Sequence, residues 1–524
     1  MSHQSTELNR VGGRLLKYML AVFLLGSMTL ASMCRADVMS GSRHGSVPIR
    51  PWLAPAASSG PTLPDGPEIE LTLPEAIGLG LRQNRNIKSV LIQRIVDRFN
   101  LRVEEDLFTP KLITSVTVRR DTTSTGLTRS ANVNPVATLR TPVGTTVALG
   151  WSKDVAKAFP ADASPSNTNT SSLNLSVVQP LLRGAGLDVN MAPVRTARIS
   201  ERQSLLQAKA TLGTTVNQII HAHHRFLQEQ EQIKIVKSSL LRAREVIDIN
   251  KALIAASRMA ANDLIQAEVY VSQQELALLG AESALDSARL TLLSFLALDP
   301  RTRIVAMDKI EGEEMHLGLD QAKEIAFSRR ADHLAQLLAV DAARIALDVA
   351  KNARKWDVSL IAGSARNTGT QTGAGDSIPA GGSSRSNYVG LQLSFPVGDL
   401  RPEQAELQAA AVLKQANLQL ETLRASIEQM IQDGVRNIDI LWRQYLLARK
   451  ARDLAARNVD LDLIKLRSGR SSTFQVRQSQ DDLLNAQNSE LTARVSYVNA
   501  LVDMDEQLGL TLDTWQIELP QGVL

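Results

Sequence analysis

The chain repeats itself. Residues 257–298 match residues 469–510 without a gap, at a constant shift of 212. Arg258 falls on Arg470, Gln266 on Gln478, Ala281 on Ala493 and Ala288 on Ala500. A second match, shifted by 246, sets Leu71, Leu73 and Ala76 on Leu317, Leu319 and Ala322. A third, shifted by 216, sets Gln179-Pro180-Leu181 against Phe395-Pro396-Val397. The three matches keep one order and define two copies of a unit, about 71–298 and 317–510. The unit is far longer than a solenoid repeat. Two copies of so long a unit suit a protomer that supplies two similar sectors of a larger closed wall.

The ends of the chain bound its setting. Arg10, Arg14 and Lys17 precede an apolar run from Tyr18 to Met33, which has the pattern of a signal peptide over residues 1–36. Cleavage is expected after Ala36; Cys34, the only cysteine, could instead carry a lipid. Without Cys34 the chain can form neither a disulfide nor a thiolate metal site. Residues 37–70 are rich in Ser, Pro and Gly and are expected to be a flexible leader. No later stretch approaches the roughly 18 apolar residues of a membrane helix. A net charge of +4 in 524 residues is too weak to argue for nucleic acid.

Leu413, Leu420, Ile427, Gly434, Leu441, Ala448 and Ala455 stand seven residues apart, with Ala416, Leu423 and Met430 between them. No proline interrupts Glu403 to Leu466, so the pattern predicts one long helix with a narrow seam. Val194 to Ser257 is equally free of proline. Each long helix breaks and returns, over Ser257 to Asp263 in the first copy and Arg467 to Thr473 in the second. Gly469 can end a helix, and Ser472 or Thr473 can cap the next. Asn262 or Asp263 is placed to cap in the first copy. The expected helical hairpins are residues 190–298 and 403–510.

The other end of each unit alternates with a period of two. Strands are expected at about 111–120, 172–180, 357–366 and 387–396. Such alternation over about ten residues suits transmembrane β-strands, with one face to lipid and one to a lumen. Polar segments between them, such as Asn367 to Asn387, look like external loops, and residues 137–153 look like an additional hairpin. Trp151, Trp356, Tyr388 and Phe395 are candidates for an interfacial aromatic girdle. Four strands cannot close a barrel alone, so the pattern calls for an oligomer.

This order of helix, strand, loop, strand and long helical hairpin, repeated over residues 71–510, resembles the TolC-type outer-membrane efflux proteins. The motifs that carry the resemblance are Gln179-Pro180-Leu181-Leu182-Arg183-Gly184-Ala185-Gly186, Phe395-Pro396-Val397-Gly398-Asp399 and the tip Gly469-Arg470-Ser471-Ser472-Thr473-Phe474. The resemblance implies a mainly α fold with a β-barrel portion. It implies a homotrimer whose 12-stranded outer-membrane barrel continues into a periplasmic barrel of twelve helices. The partners would be a periplasmic adaptor, an inner-membrane pump and outer-membrane lipid. Pro180, Gly184, Gly186, Pro396 and Gly398 would mark the swivel from strand to helix. Arg258, Met259, Ala260, Gly469, Arg470, Ser471 and Ser472 would dock the adaptor. Residues 301–316 would connect the copies, and 511–524 would form a tail. Gln475 and Gln478 stand where well-known members carry acidic residues at the periplasmic mouth. Asp263 keeps its carboxylate, and pairs of Asp263 with Arg467 and Arg470 are the expected electrostatic gate.

Other chemistry is sparse. His221, His223 and His224 cluster on one helix, and three copies around a lumen could bind a metal; a solvated helix face is the favoured account. Asp481-Asp482 has no acid-base partner identifiable in the sequence, and no phosphate-binding Gly-rich loop precedes Lys-Ser/Thr. No catalytic constellation or cofactor is expected. The alternative to an export duct is a structural coiled-coil protein of the envelope without transport activity.

Overall fold

The computed structural model describes residues 68–161, 164–372 and 380–517. The expected signal peptide, the cleavage site, Cys34 and nearly all of the leader lie outside these residues, as does the end of the tail. The leader does not run to residue 70 as a loop. Glu68–Leu71 (β1) pairs in parallel with Arg303–Ala306 (β6), placing the start of the first unit beside the segment that follows it.

Leu73–Gln83 (α1) opens on a capping box. The Thr72 hydroxyl donates to the Glu75 carboxylate, and Thr72 N–H donates to Glu75 Oε2 at 2.9 Å. Arg85–Glu105 (α2) follows. The chain then enters a sheet of Lys111–Thr123 (β2), Gly126–Arg140 (β3), Thr146–Pro160 (β4) and Ser166–Pro180 (β5). A short turn of helix, Leu187–Asn190 (α3), leads into Ala192–Ala255 (α4), which returns as Ala261–Leu296 (α5). The second copy gives Leu319–Arg329 (α6), Ala331–Ala353 (α7), Asp357–Thr372 (β7), Ala380–Ser394 (β8), Arg401–Arg467 (α8) and Thr473–Leu508 (α9). Thr511–Thr514 (α10) ends the described helices.

The 64 residues of α4 and the 67 of α8 extend over roughly 95–100 Å at about 1.5 Å per residue. The four long helices form one layer in the order α5-α4-α9-α8, with α4 against α9 joining the two hairpins. Matching positions of the copies do matching work. Ala76 and Ala322, Leu292 and Met504, and Leu296 and Leu508 are all buried, in two corresponding apolar cores. In the seam of α8, Ala416, Leu420 and Ile427 are buried, as are Ile431 and Ile438. The buried row drifts off the strict seven-residue line because a straight helix turns every 3.6 residues. At Gly434 an added Cβ would lie 2.7 Å from Gln507 Oε1 and 3.1 Å from Met504 Sδ, so glycine permits the close approach of α9.

The sheet departs from expectation in its strand count. The hairpin foreseen at about 137–153 is two full strands, β3 and β4, hydrogen-bonded between β2 and β5. The order β2-β3-β4-β5-β7-β8 is antiparallel throughout, giving this sheet six strands among the described residues in place of four. Insertion of strands as a pair restores the running direction. It also keeps the faces in phase, because side chains alternate strictly along each strand. The segment taken as a long external loop is mostly ladder: Asn367 pairs with Ser384, and only 373–379 lies between β7 and β8. Strands of 13–16 residues thus continue well past the apolar stretches that announced them.

One face of the sheet is apolar near the helix side. Leu112, Val116 and Val118 of β2 continue through Ala131 and Val133 of β3, Leu149 and Trp151 of β4, Leu173 and Leu175 of β5, Leu360 of β7, and Leu391 and Leu393 of β8. Val118 and Val389 on this face are 80% and 79% exposed. The opposite face carries Ser, Thr, Asn, Ala and Gly. Tyr388 belongs to that polar face: it is cross-strand from Gly363, where an added Cβ would meet its ring at 2.6 Å. Its place in the aromatic girdle is therefore corrected by the parity of the strand. Trp151 does sit on the apolar face, its Nε1 donating to Ser171 Oγ at 3.0 Å. Trp356 and Phe395 stack with ring centres 5.5 Å apart, just outside the helix-side ends of β7 and β8.

Candidate functional site

The two returns of the long helices lie side by side. The first closes with Ser257 in the left-handed region, at φ 58°, and Arg258 N–H donating to Leu253 O at 2.8 Å. The second closes with Gly469 at φ 71° and Arg470 N–H donating to Lys465 O at 2.8 Å. These are the same C-terminal motif, built once with glycine and once without. Ser472 caps α9, accepting from Gln475 N–H at 3.2 Å. Thr473 is instead the first helical residue, and it is buried.

The expected cap of α5 is not Asn262 or Asp263. Ala260 holds the cap position without a side-chain hydrogen bond, and Asn262 and Asp263 fall within the first turn. There the Asp263 carboxylate meets the positive end of the helix dipole. Buried Asn250, on α4, ties the two returns together. Its Oδ1 accepts from Thr473 Oγ1 at 3.2 Å, and its Nδ2 donates to Asp263 O at 3.4 Å. Sequence reasoning passed over Asn250, although a polar residue on the inward line of a long helix was the signal available.

Arg258, Ala260, Gly469, Arg470 and Ser472 are exposed, whereas Met259 and Ser471 are half-buried. Met259 packs against the apolar cluster of Leu253, Leu466 and Val476 between the hairpins. Phe474 is 57% exposed beside these residues, with the Arg477 guanidinium 5.2 Å from its ring centre. Arg467 forms an ion pair with Glu245 of α4. Among the described residues no ion pair joins Asp263 to Arg467 or Arg470 within the chain. Gln478 donates to Asp482 at 3.0 Å. Behind the two returns, buried Asp462 accepts from Ser479 Oγ at 2.6 Å and from Lys465 at 3.1 Å, and these bonds hold its carboxyl below the usual range.

The histidine cluster does not form the solvated face that was favoured. His223 and His224 are buried, His223 beside Leu71 and Asp308 and His224 against α9. His224 Nδ1 lies 2.7 Å from Asn499 Oδ1, and His221 Nε2 lies 2.8 Å from Asp503 Oδ1. The bond to Asp503 raises the pKa of His221, whereas burial lowers those of His223 and His224. Asp481, which lacked a partner in the sequence, accepts from Tyr270 Oη at 2.9 Å. Among the described residues, no group of three metal-binding side chains converges.

The swivels differ in how tightly they are held. After Pro180, Gly184 and Gly186 adopt φ 78° and 98°. Buried Asn190 donates to both of their carbonyls, at 2.7 and 2.8 Å, and accepts from Arg140 Nη2 at 2.9 Å. Gly184 N–H donates to Asn352 Oδ1 at 2.7 Å, tying this turn to the second copy. In the other swivel, Pro396 precedes Gly398 at φ 74°, and Asp399 accepts from Arg401 at 2.8 Å.

Neither a protein-family model nor a curated protein sequence matches the chain. Solved structures do. The CmeC outer membrane channel of Campylobacter jejuni superposes with a TM-score of 0.62 at 16% identity, over 84% of this chain and 86% of that one. The outer membrane protein VceC of Vibrio cholerae gives 0.61 at 15%, over 83% and 96%. The open state of the MtrE outer membrane channel of Neisseria gonorrhoeae gives 0.60 at 14%, over 84% and 89%. The long helical hairpins, the sheet at one end and the paired returns at the other fit together in this chain as the fold of the TolC-type outer-membrane channels.

Proposed function

We propose that the protein is a trimeric exit duct of the outer membrane, extending into the periplasm and working passively with a periplasmic adaptor and an inner-membrane pump. The observation that carries this is that both layers end on unsatisfied edges. Among the described residues, β2 and β8 are the two edge strands of the sheet, and each has one side without a ladder partner. An open edge in lipid is not tolerated, so the sheet must close with further copies. The helical layer ends on α5 and α8, and each presents an exposed apolar seam. Ile440, Leu447, Leu454 and Leu461 stand seven apart on α8, and Val269, Leu276 and Leu290 fall on one seven-residue line of α5 that Ser283 interrupts. A ring of copies would pair β8 with β2 and α8 with α5 at one and the same joint.

The widths agree. Six strands about 4.8 Å apart and tilted by about 40° span roughly 38 Å of circumference. Four helices at about 8–10 Å spacing span roughly 32–40 Å. Four strands would span only about 25 Å and would force the wall to taper. Three copies, the number the resemblance implies, would give an eighteen-stranded barrel above twelve helices. Barrels of that strand number leave an aqueous channel. The exposed returns, Arg258 to Ala260 and Gly469 to Ser472, would face the adaptor, with Asp263, Arg467, Arg470, Gln475 and Gln478 around the mouth.

Purified protein in mild detergent should have the mass of a trimer and should form single channels in planar bilayers. A stable monomer that conducts would overturn the trimer. A trimer that inserts and never conducts, even with adaptor present, would overturn the duct.

A further inference from the structure

Above its apolar band, the outer face of the sheet is charged in one sense only. Arg120 on β2 lies directly opposite Arg129 on β3, which lies directly opposite Lys157 on β4. Arg366 on β7 lies directly opposite Arg385 on β8. All five are exposed. Lys153, directly opposite Val133, is a half-buried base lower down, within the apolar band. Among the described residues, no Asp or Glu shares this face. The strand carboxylates Asp121, Asp154 and Asp357 are on the polar face, where Asp121 accepts from Arg119 at 2.7 Å. Like charges opposed across a ladder destabilise a sheet. Here three such pairs occur, in two clusters, with no acid among the described residues on the same face to compensate.

The level of these bases is set by the strands. Arg120, Arg366 and Arg385 each stand nine residues from the helix-side end of their strand. At about 3.3 Å per residue and a tilt of about 40°, nine residues rise roughly 23 Å, close to the apolar height of an outer-membrane barrel. The bases therefore stand at the outer rim of the bilayer. Phe159 lies against two of them, its ring centre 5.9 Å from the Arg129 guanidinium and 5.3 Å from Lys157 Nζ. These contacts hold both cations against the wall. In a closed ring, β8 lies beside β2 of the next copy, bringing Arg366 and Arg385 to the side of Arg120 and Arg129.

We propose that these two base clusters form one site at each joint between copies, binding the phosphate groups of an outer-leaflet glycolipid such as lipid A. Planar guanidinium groups fit phosphate oxygens in pairs, and the apolar band directly below would receive the acyl chains. The site rests on the outer-membrane reading. Its bound lipid would bridge adjacent copies and relieve the opposed charges.

The test compares wild type with a variant carrying Arg120→Gln, Arg129→Gln, Arg366→Gln and Arg385→Gln. Both are extracted from outer membranes, and lipid A is quantified on the purified trimers by mass spectrometry. The variant should retain at least about ten-fold less lipid A, and a set of Arg→Lys replacements should retain most of it. Reconstitution into phosphatidylcholine vesicles doped with lipid A or with dephosphorylated lipid A should protect wild type from dissociation only in the phosphorylated case. Excess inorganic phosphate should not substitute. Equal retention by wild type and the Gln variant, equal protection by the dephosphorylated lipid, or full protection by inorganic phosphate would overturn the site. Failure of wild type to fractionate with the outer membrane would instead overturn the localisation on which it rests.

Discussion

The two copies of the unit agree at the helix returns and differ in the sheet. Helices α5 and α9 have 36 residues each, and α4 and α8 have 64 and 67. The sheet takes four strands from the first copy and two from the second. The difference follows from how each layer is held. A long helix packs along its whole length, so an insertion rotates every later residue out of the seam, by about 100° per residue. A sheet receives two strands at once without disturbing either neighbour. Direction and face are restored after the second strand, and the ladder simply becomes wider. Growth by a hairpin is therefore open to the sheet and closed to the helical layer.

Removing the inserted hairpin gives the largest expected effect. In the observed sheet β2 and β5 run in opposite directions, as antiparallel neighbours must, and their apolar residues lie on the same face. Deletion of residues 126–160 should let β2 pair with β5 and leave an inserted trimer with twelve strands. Its lumen cross-section should fall to roughly half or less. Added to the barrel side of a planar bilayer, polyethylene glycols of graded size should show a lower exclusion limit than in wild type. Deletion of residues 126–140 alone leaves β2 and β4 running in the same direction and should abolish assembly. An unchanged exclusion limit in the 126–160 deletion would mean that β3 and β4 do not line the pore.

Much of this was legible in the sequence because period and punctuation stated it. The heptads of α8, the alternation of Tyr388 to Phe395 and the breaks at Ser257 and Gly469 required no tertiary knowledge. The strand ends away from the helices were less visible, because Ser, Thr, Asn and Gly are frequent on both faces there and mimic a loop. Asn367 to Thr372 was misread for that reason. The histidines were misplaced because their environment is made by α9 and Asp308, which are remote in sequence. Partners of Asp481 and Arg467 likewise come from other helices.

The second effect concerns the returns. The first copy places Ser257 and Ala297 in the left-handed region, at φ 58° and 53°; the second places Gly469 and Gly509 there, at 71° and 74°. Such a conformation costs an L-residue about 1 kcal/mol relative to glycine. Ser257→Gly and Ala297→Gly should each stabilise their hairpin by up to about 1 kcal/mol, while Gly469→Val should lose more than that. Gly509 should tolerate least, because an added Cβ would sit 3.0 Å from the backbone of Arg329. Local hydrogen exchange at the C-terminal ends of α4 and α8 for Ser257 and Gly469, and of α5 and α9 for Ala297 and Gly509, measures these changes directly. Gly469→Val should also reduce export and adaptor crosslinking while the trimer persists. Unchanged export would remove the second return from the docking surface.

The smallest effect is electrostatic and concerns the mouth. Arg467 already has a carboxylate, that of Glu245 in its own chain, whereas Asp263 has no ion pair among the described residues. If Asp263 helps to close the resting mouth, it must do so across a joint between copies and in competition with Glu245 for Arg467. An exposed pair contributes about 0–1 kcal/mol, so three such pairs shift opening by at most roughly 3 kcal/mol and more often by about 1 kcal/mol. Asp263→Asn keeps the first turn of α5 and removes the charge, and it should raise resting conductance by several-fold. Glu245→Gln frees Arg467 for the neighbouring copy and should lower it or leave it unchanged. The opposite signs separate the two carboxylates. A rise in both variants would identify the Arg467–Glu245 pair as the lock. A rise in neither would leave Asp263 as a first-turn acid that steadies the helix dipole and takes no part in gating.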